Sequence, residues 1–321
     1  MRVTLPNRAY LGDIERFLTC VTDDGSDDLT FALPDGLFSV HPIVVCMIGA
    51  LGEAARRTGG TVLLENETNN SSTRYLERMG LFRSLGVSSS ITVRQPQEAA
   101  GRFVPLQVIK SNDELNDFVL NVGPLLHASP EQTQAVKYVI FEMVRNVLEH
   151  ARTQGGAYVA AQVARKSGRL LLGVADAGVG VREALRTSHQ VFDHRQAITL
   201  AFRPGITGTT RKFGGNETNG GAGLFFMKAM VQASGHHIVM VTGDHQMKLL
   251  RQPSGRLNPL LDQDRVTWKQ YPLEFPGTAV GVDLSADEGA GFDQLMRRIR
   301  DAYGFSVRAA KRERAKRARF E

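Results

Sequence analysis

Residues 141–151 read FEMVRNVLEHA, and the fold turns on this stretch. Spacings of four and three place Glu142, Asn146 and Glu149 on one face of a helix, while Val136, Ile140, Met143, Val144, Val147, Leu148 and Ala151 form an apolar arc opposite. Such a helix can bury one side and present carboxylates and an amide from the other. An ordinary solvated helix face carries the same pattern, so its surroundings in the chain matter. Just upstream, residues 129–132 read SPEQ: an N-cap serine, a proline at the first helical position and a glutamine placed for a capping box. A long helix is therefore expected from 129 to about 151.

Downstream, apolar runs at 157–163 and 170–174 predict strands, followed by a glycine-rich region at 205–223, a helix at 224–234 and strands near 238–241 and 279–284. Helices and strands recur without the βαβ spacing of a Rossmann unit, a pattern that fits helices on one face of a mixed sheet. The second strand runs straight into Asp176-Ala177-Gly178-Val179-Gly180. An aspartate at a strand end can accept a hydrogen bond from an exocyclic amine while the glycines allow close backbone approach, although the same letters also make a common Asp-Gly turn. Gly220-Gly221-Ala222-Gly223-Leu224 opens the next helix. A glycine-rich helix start offers free N–H groups and a positive dipole end to phosphate; its alternative is a flexible loop. Magnesium takes oxygen ligands and needs only one or two protein groups beside nucleotide phosphates, so the Asn146 amide suffices. A carboxylate one turn away, Glu142, can polarise an attacking water or hydroxyl.

In this order the motifs resemble the GHKL (Bergerat) superfamily, which includes gyrase-type ATPases and sensor histidine kinases. FEMVRNVLEHA is similar to its N box, VADAGVGV (174–181) to its G1 box, GGAGLFFMK (220–228) to its G2 box, and Pro276-Gly277-Thr278 to its adenine-contacting Gly-Thr. The resemblance covers roughly 132–285. It implies a two-layer sandwich of helices on a mixed sheet, binding ATP and Mg2+. By the same resemblance Glu142 is the general base, Asn146 the magnesium ligand and Asp176 the adenine-binding aspartate. Gly178 and Gly180 form the base-side turn, Gly221, Gly223 and Leu224 the phosphate turn, and Thr278 supports adenine. Residues 201–219 then form the cover over the phosphates, from which Arg211 or Lys212 reaches them. The pattern Glu142, Asn146, His150 resembles the anti-sigma-factor serine kinases most closely.

The first hundred residues read differently. Strand candidates at 30–33 and 61–65 flank a helix over 42–58, PIVVCMIGALGEAARRT, closed by Arg56, Arg57 and Gly59-Gly60; SSTRYLERMGLF (71–82) reads as a second helix. This α/β unit resembles STAS-like antagonists, the partners of such kinases, but reads LFSVHPIV where those carry a phosphorylatable residue, with Ser39 displaced from the expected place. The domain reading is a STAS-like α/β domain over 1–95, a connecting segment and helix over 96–128, the GHKL domain over 129–290 and a basic tail over 291–321.

Composition narrows the classes. Hydrophobic residues make up 42% and charged residues 22%, the balance of a folded globular chain. Cys20 and Cys46 lack metal or disulfide spacing, His236-His237 reads as a turn, and Trp268 and Tyr271 read as covering the sheet. No apolar run approaches a membrane span and the N-terminus lacks a signal-like stretch, so a cytoplasmic location without a membrane partner is expected. The net charge of +6 is concentrated at one end, with ten Lys and Arg against four Asp and Glu in 291–321. Residues 308–321 can touch nucleic acid, and a protein partner or a homodimer is also compatible. Three outcomes stay open: ATP hydrolysis, phosphoryl transfer to a Ser or Thr of a protein partner, and an ATP-gated interaction module without catalysis.

Overall fold

A computed structural model describes residues 1–93, 103–126, 130–164, 167–206, 222–233, 237–250, 257–284 and 292–317. The N-terminal unit contains β1 (Arg2–Thr4), β2 (Arg8–Ala9), α1 (Glu15–Leu18), β3 (Val21–Thr22), β4 (Leu29–Ala32), β5 (Ser39–Val40), α2 (Pro42–Arg57), β6 (Val62–Glu65), α3 (Ser71–Arg78) and α4 (Leu81–Leu85). Its four-stranded sheet has the order β3-β1-β4-β6, parallel except for the antiparallel edge β3. The stretch expected to form one helix over 71–82 is broken by Gly80, whose φ of 75° lies in the left-handed region.

The C-terminal unit continues with β7 (Phe103–Ile109), α5 (Asn112–Leu126), α6 (Pro130–His150), β8 (Ala157–Val163), β9 (Leu170–Ala175), α7 (Gly180–Arg186), α8 (His194–Ala201), α9 (Gly223–Ala233), β10 (Ile238–Leu249), β11 (Val266–Leu284) and α10 (Phe292–Arg317). A five-stranded antiparallel sheet has the order β10-β11-β9-β8-β7. Strand alternation divides its residues between two cores. Val159, Leu172, Val174, Val280 and Met240 face the layer of α5, α6 and α9, while Tyr158, Ala160, Ala175, Ala279 and Val239 face the N-terminal unit. The architecture is thus mixed α/β, with α5, α6 and α9 on one face of the larger sheet; the described strands of that sheet are antiparallel throughout, where a mixed sheet is expected from the sequence.

The second face is where the two units join. Helix α2 is buried nearly all round, which an amphipathic surface helix never is. It lies between the two sheets and packs against β8, β9 and β11 as well as its own sheet. The approach is close because Ala160, Gly173, Gly281 and Val239 form a paired row across four strands. A Cβ on Gly173 would overlap the backbone of Ile43, and one on Gly281 would press on Leu11 and Ile43. Gly173→Ala is therefore expected to cost about 1–3 kcal/mol of stability, the range for overpacking a filled core. Chemical denaturation checks it, and an unchanged midpoint would mean that α2 does not lie this close to β9.

A buried polar contact anchors the start of α2. The ring Nδ1 of His41 accepts from the Ile43 N–H at 3.1 Å, so its Nε2 carries the proton and donates to Asp283 Oδ1 at 3.2 Å; Arg169 Nη1 lies 3.2 Å from Asp283 Oδ2. Burial alone would raise the Asp283 carboxyl, but His41 and Arg169 hold it below the ordinary carboxylate range. Ser39, by contrast, is exposed on β5, outside this buried helix start.

Several boundaries differ from the sequence reading. Strand β7 and helix α5, placed in a connecting segment over 96–128, belong to the larger sheet and its helical core, because β7 pairs with β8 and Leu115, Phe118 and Val122 are buried there. The polar stretch 244–276 is largely the continuation of a long β10–β11 hairpin, in which exposed residues are interspersed along 266–274 of β11 while 244–249 of β10 are covered. Trp268 packs on that hairpin beneath Arg195, 5.0 Å from its ring. The segment read as a basic tail begins as part of the fold: Met296 and Ile299 are buried, and the Tyr303 ring lies 5.8 Å from Phe225 and 5.6 Å from Phe226. Ser129, read as the N-cap of α6, lies outside the described residues.

Candidate functional site

Helix α6 lays its apolar arc on the sheet through Val136, Ile140, Met143, Val144 and Val147. Its other face borders a cavity of about 280 Å³. Glu142, Asn146, Asp176, Gly180, Gly223, Leu224 and Thr278, taken from four separate stretches of sequence, all line this one space. Gly178 stands behind the wall instead, where a Cβ would overlap the Ala151 carbonyl oxygen. Arg211, Lys212 and Gly221 lie outside the described residues.

Asp176 ends β9 and is almost wholly buried. Its N–H donates to the Thr278 carbonyl at 2.9 Å, and its Oδ1 accepts from the Gly178 N–H at 2.7 Å. The next amide, Val179 N–H, donates to the Ala151 carbonyl at the end of α6 at 2.9 Å. Burial pushes the Asp176 carboxyl up from 3.8 to about 7, against backbone hydrogen bonds from Gly178 and Thr278 that favour the ionised form. Gly277, at φ 90°, passes so close to Asp176 that a Cβ would overlap its carbonyl oxygen. An aspartate so placed, in an apolar wall of Val174, Met240 and Val280, is an acceptor for a buried donor.

Glu142 sits across the cavity. Desolvation raises its carboxyl above the ordinary range, Arg145 opposes this and Glu149 adds to it. Gly223, the first residue of α9, faces it so closely that a Cβ would overlap Glu142 Oε2. The glycine therefore lets a helix N-terminus meet the carboxylate. Lys228, buried one turn further along α9, is 2.7 Å from both Asp264 Oδ2 and the Asn258 carbonyl, which ties this helix to the connection between β10 and β11.

Asn146 lines the same cavity as these two carboxylates. Its Nδ2 is buried and has no hydrogen-bond partner. The amide spends nothing through its nitrogen, so its plane can turn to offer the oxygen to a cation. Among the described residues no group of three or more His, Cys, Asp or Glu side chains could hold a metal ion. An amide oxygen is a donor that suits a cation of the magnesium type, whereas zinc takes His and Cys ligands.

Four residues at the site are given no role there by the sequence, although Glu149 is read on the polar face of α6 and Arg57 at the end of its helix. Thr242, buried in β10, accepts from the Val181 N–H at 3.1 Å and donates to the Gly277 carbonyl at 2.9 Å, joining the turn after Asp176 to the Gly277–Thr278 segment. A lone threonine in a strand carries no sequence signal of such a role. Arg145 and Glu149 form an ion pair at 2.5 Å on the cavity wall, a pair that their spacing of four could have suggested. Arg57 comes from the other unit: its Nη1 donates to the Ala177 carbonyl.

Among the described residues no helix is long and apolar enough to cross a membrane. No curated protein matches the chain. Residues 114–240, from within α5 to within β10, match the family model of the histidine kinase-like ATPase domain, and this stretch holds Glu142, Asn146, Asp176, Gly180, Gly223 and Leu224 of the cavity, so the C-terminal unit is similar to an ATPase domain of that type.

Proposed function

We propose that the protein is a Mg·ATP-binding regulator that turns ATP over slowly, with the cavity between α6, the Asp176 turn and the start of α9 as its nucleotide site. The observation that carries this reading is the convergence of Glu142 and Asn146 on α6 with Asp176 after β9 and the start of α9, three separate stretches of sequence, on a single cavity. Asp176 accepts from the exocyclic amine of adenine, and Gly180 and Thr278 line the base side. The N-terminus of α9 at Gly223 and Leu224 faces the phosphates. Asn146 holds magnesium, which supplies charge neutralisation to the phosphate oxygens. Glu142 takes the proton from the attacking hydroxyl, and desolvation raises its affinity for protons above that of an ordinary carboxylate, which strengthens it as a base. Turnover is slow because one carboxylate and one metal leave catalysis mostly to positioning.

Within this reading the acceptor of the phosphoryl group is water or a Ser or Thr of a protein partner, as in the anti-sigma-factor serine kinases, and the N-terminal unit is STAS-like in its α/β order. Phosphate release, measured beside transfer from γ-labelled ATP to candidate partners, separates the two. Tight binding with neither product would leave an ATP-gated interaction module.

Asn146→Ala is expected to remove the magnesium-dependent part of ATP affinity. The variant in magnesium should bind ATP as weakly as the wild type does in EDTA, because only phosphate and water ligands remain. Titration calorimetry under both conditions reads this directly. Equal magnesium dependence in the two proteins would take Asn146 out of the metal site.

A further inference from the structure

Helix α2 runs between the sheets from the His41–Asp283 contact at its start to Arg57 in its last turn. There the Arg57 guanidinium donates to the Ala177 carbonyl, across 120 residues of sequence. Ala177 lies between Asp176 and Gly178, and its side chain is buried in the core shared with the N-terminal unit. The peptide group that joins Ala177 to Gly178 contains both this carbonyl and the N–H that donates to Asp176 Oδ1. A peptide group is planar, so fixing its C=O end fixes the direction of its N–H end. The other bonds that hold this turn, from Asp176 N–H to Thr278 and from Val179 N–H to Ala151, come from within the C-terminal unit. Arg57 alone reaches it from the N-terminal unit among the described hydrogen bonds.

We propose that Arg57 is a positioning residue for nucleobase recognition: the N-terminal unit orients the Ala177–Gly178 peptide and through it the carboxylate of Asp176. The proposal rests on the reading of the cavity as an ATP site. The site is then composite, completed by a unit that contributes no side chain to the cavity wall.

The test uses the full chain and measures ATP and GTP affinity by calorimetry from pH 5.5 to 8.5, on wild type, Arg57→Ala and Arg57→Gln. Arg57→Ala is expected to weaken ATP about 10-fold, the scale of one charge-assisted hydrogen bond in a partly exposed place. Its preference for ATP over GTP should shrink. The pH at which ATP affinity is half-maximal should move upward, because a loosened Gly178 N–H favours the ionised carboxylate less. Arg57→Gln, still a donor, should recover part of both effects. The neighbouring Arg56→Ala loses contacts to Leu85 and Glu53 and should leave ATP affinity within about twofold. Unchanged ATP affinity and pH midpoint in Arg57→Ala would overturn the proposal. Equal loss of ATP and GTP together with a lowered melting temperature would also overturn it, in favour of a merely structural contact. Should Arg57→Ala not fold, Arg57→Gln alone decides by its ATP-to-GTP ratio. A wild type that binds neither nucleotide would instead remove the ATP reading of the cavity.

Discussion

Replacing Glu142 by alanine is expected to lower ATP turnover by about 10²-fold or more while ATP affinity stays within a few-fold, the range usual for loss of a general base. The two effects separate because different groups carry them. In the proposed site Asn146, Asp176 and the start of α9 would hold metal, base and phosphates without help from Glu142, which lines the same cavity from another turn of α6. The carboxylate is partly buried and desolvation raises its proton affinity, so the wild-type rate should rise with pH as Glu142 ionises, and this limb should vanish in the variant. A surface glutamate on an amphipathic helix would give another result: truncation within about 0.5 kcal/mol of neutral and no kinetic change. Phosphate release under saturating ATP, paired with calorimetry on both proteins, decides between them. Equal turnover would remove Glu142 from the chemistry.

The second large effect concerns Asp176, where binding and stability should move in opposite directions. An asparagine at this position can still accept from the Gly178 N–H, but it turns an NH₂ donor towards the adenine amine. The two donors then face each other in a buried place, and ATP affinity is expected to fall about 10- to 100-fold. The empty protein should gain stability instead. Because burial raises the folded-state pKa of Asp176 from 3.8 to about 7, the protonated form favours the fold. That contribution is fully present below the unfolded value and is lost as pH rises through the folded one. Wild type therefore loses stability between about pH 4 and pH 7 that the variant, having nothing to ionise, keeps. The full shift corresponds to an upper bound of about 4 kcal/mol. Melting temperatures of the empty proteins should diverge over that window and run parallel above it. Parallel curves throughout, with GTP and ATP bound equally by the wild type, would show that Asp176 neither ionises at a cost nor reads adenine.

The opposition between stability and binding explains why the carboxylate is held so firmly. Hydrogen bonds from the Gly178 and Thr278 backbone offset part of the burial cost, and Thr242 and Gly277 bring the second strand close enough for this to happen. On the proposed reading the site would keep an unfavourable charge ready for a ligand that offsets it, an arrangement found where titratable groups serve binding.

Much of the C-terminal unit was legible in the amino-acid sequence. The face of α6, the strand leading into Asp176 and the glycines opening α9 are local patterns: a period of 3.6, a run of buried strand residues, and backbone positions where a side chain does not fit. Strands β8 and β9 and helix α2 lie within a residue or so of their expected ends for the same reason. Helices α7 and α8 were missed because their helical signals are short, and β7 because its partner β8 is some fifty residues away.

What the sequence alone determined is thus which residues the motifs single out and in what order they occur, since periodicity, capping and glycine placement act over a few residues of chain. Only the tertiary structure decided that α2 lies between two sheets, that Gly173 and Gly281 make room for it, and that Thr242 and Arg57 brace the Asp176 turn. Those facts depend on how closely segments more than sixty residues apart approach one another. Such distances follow from the packing of whole layers, which no local pattern encodes.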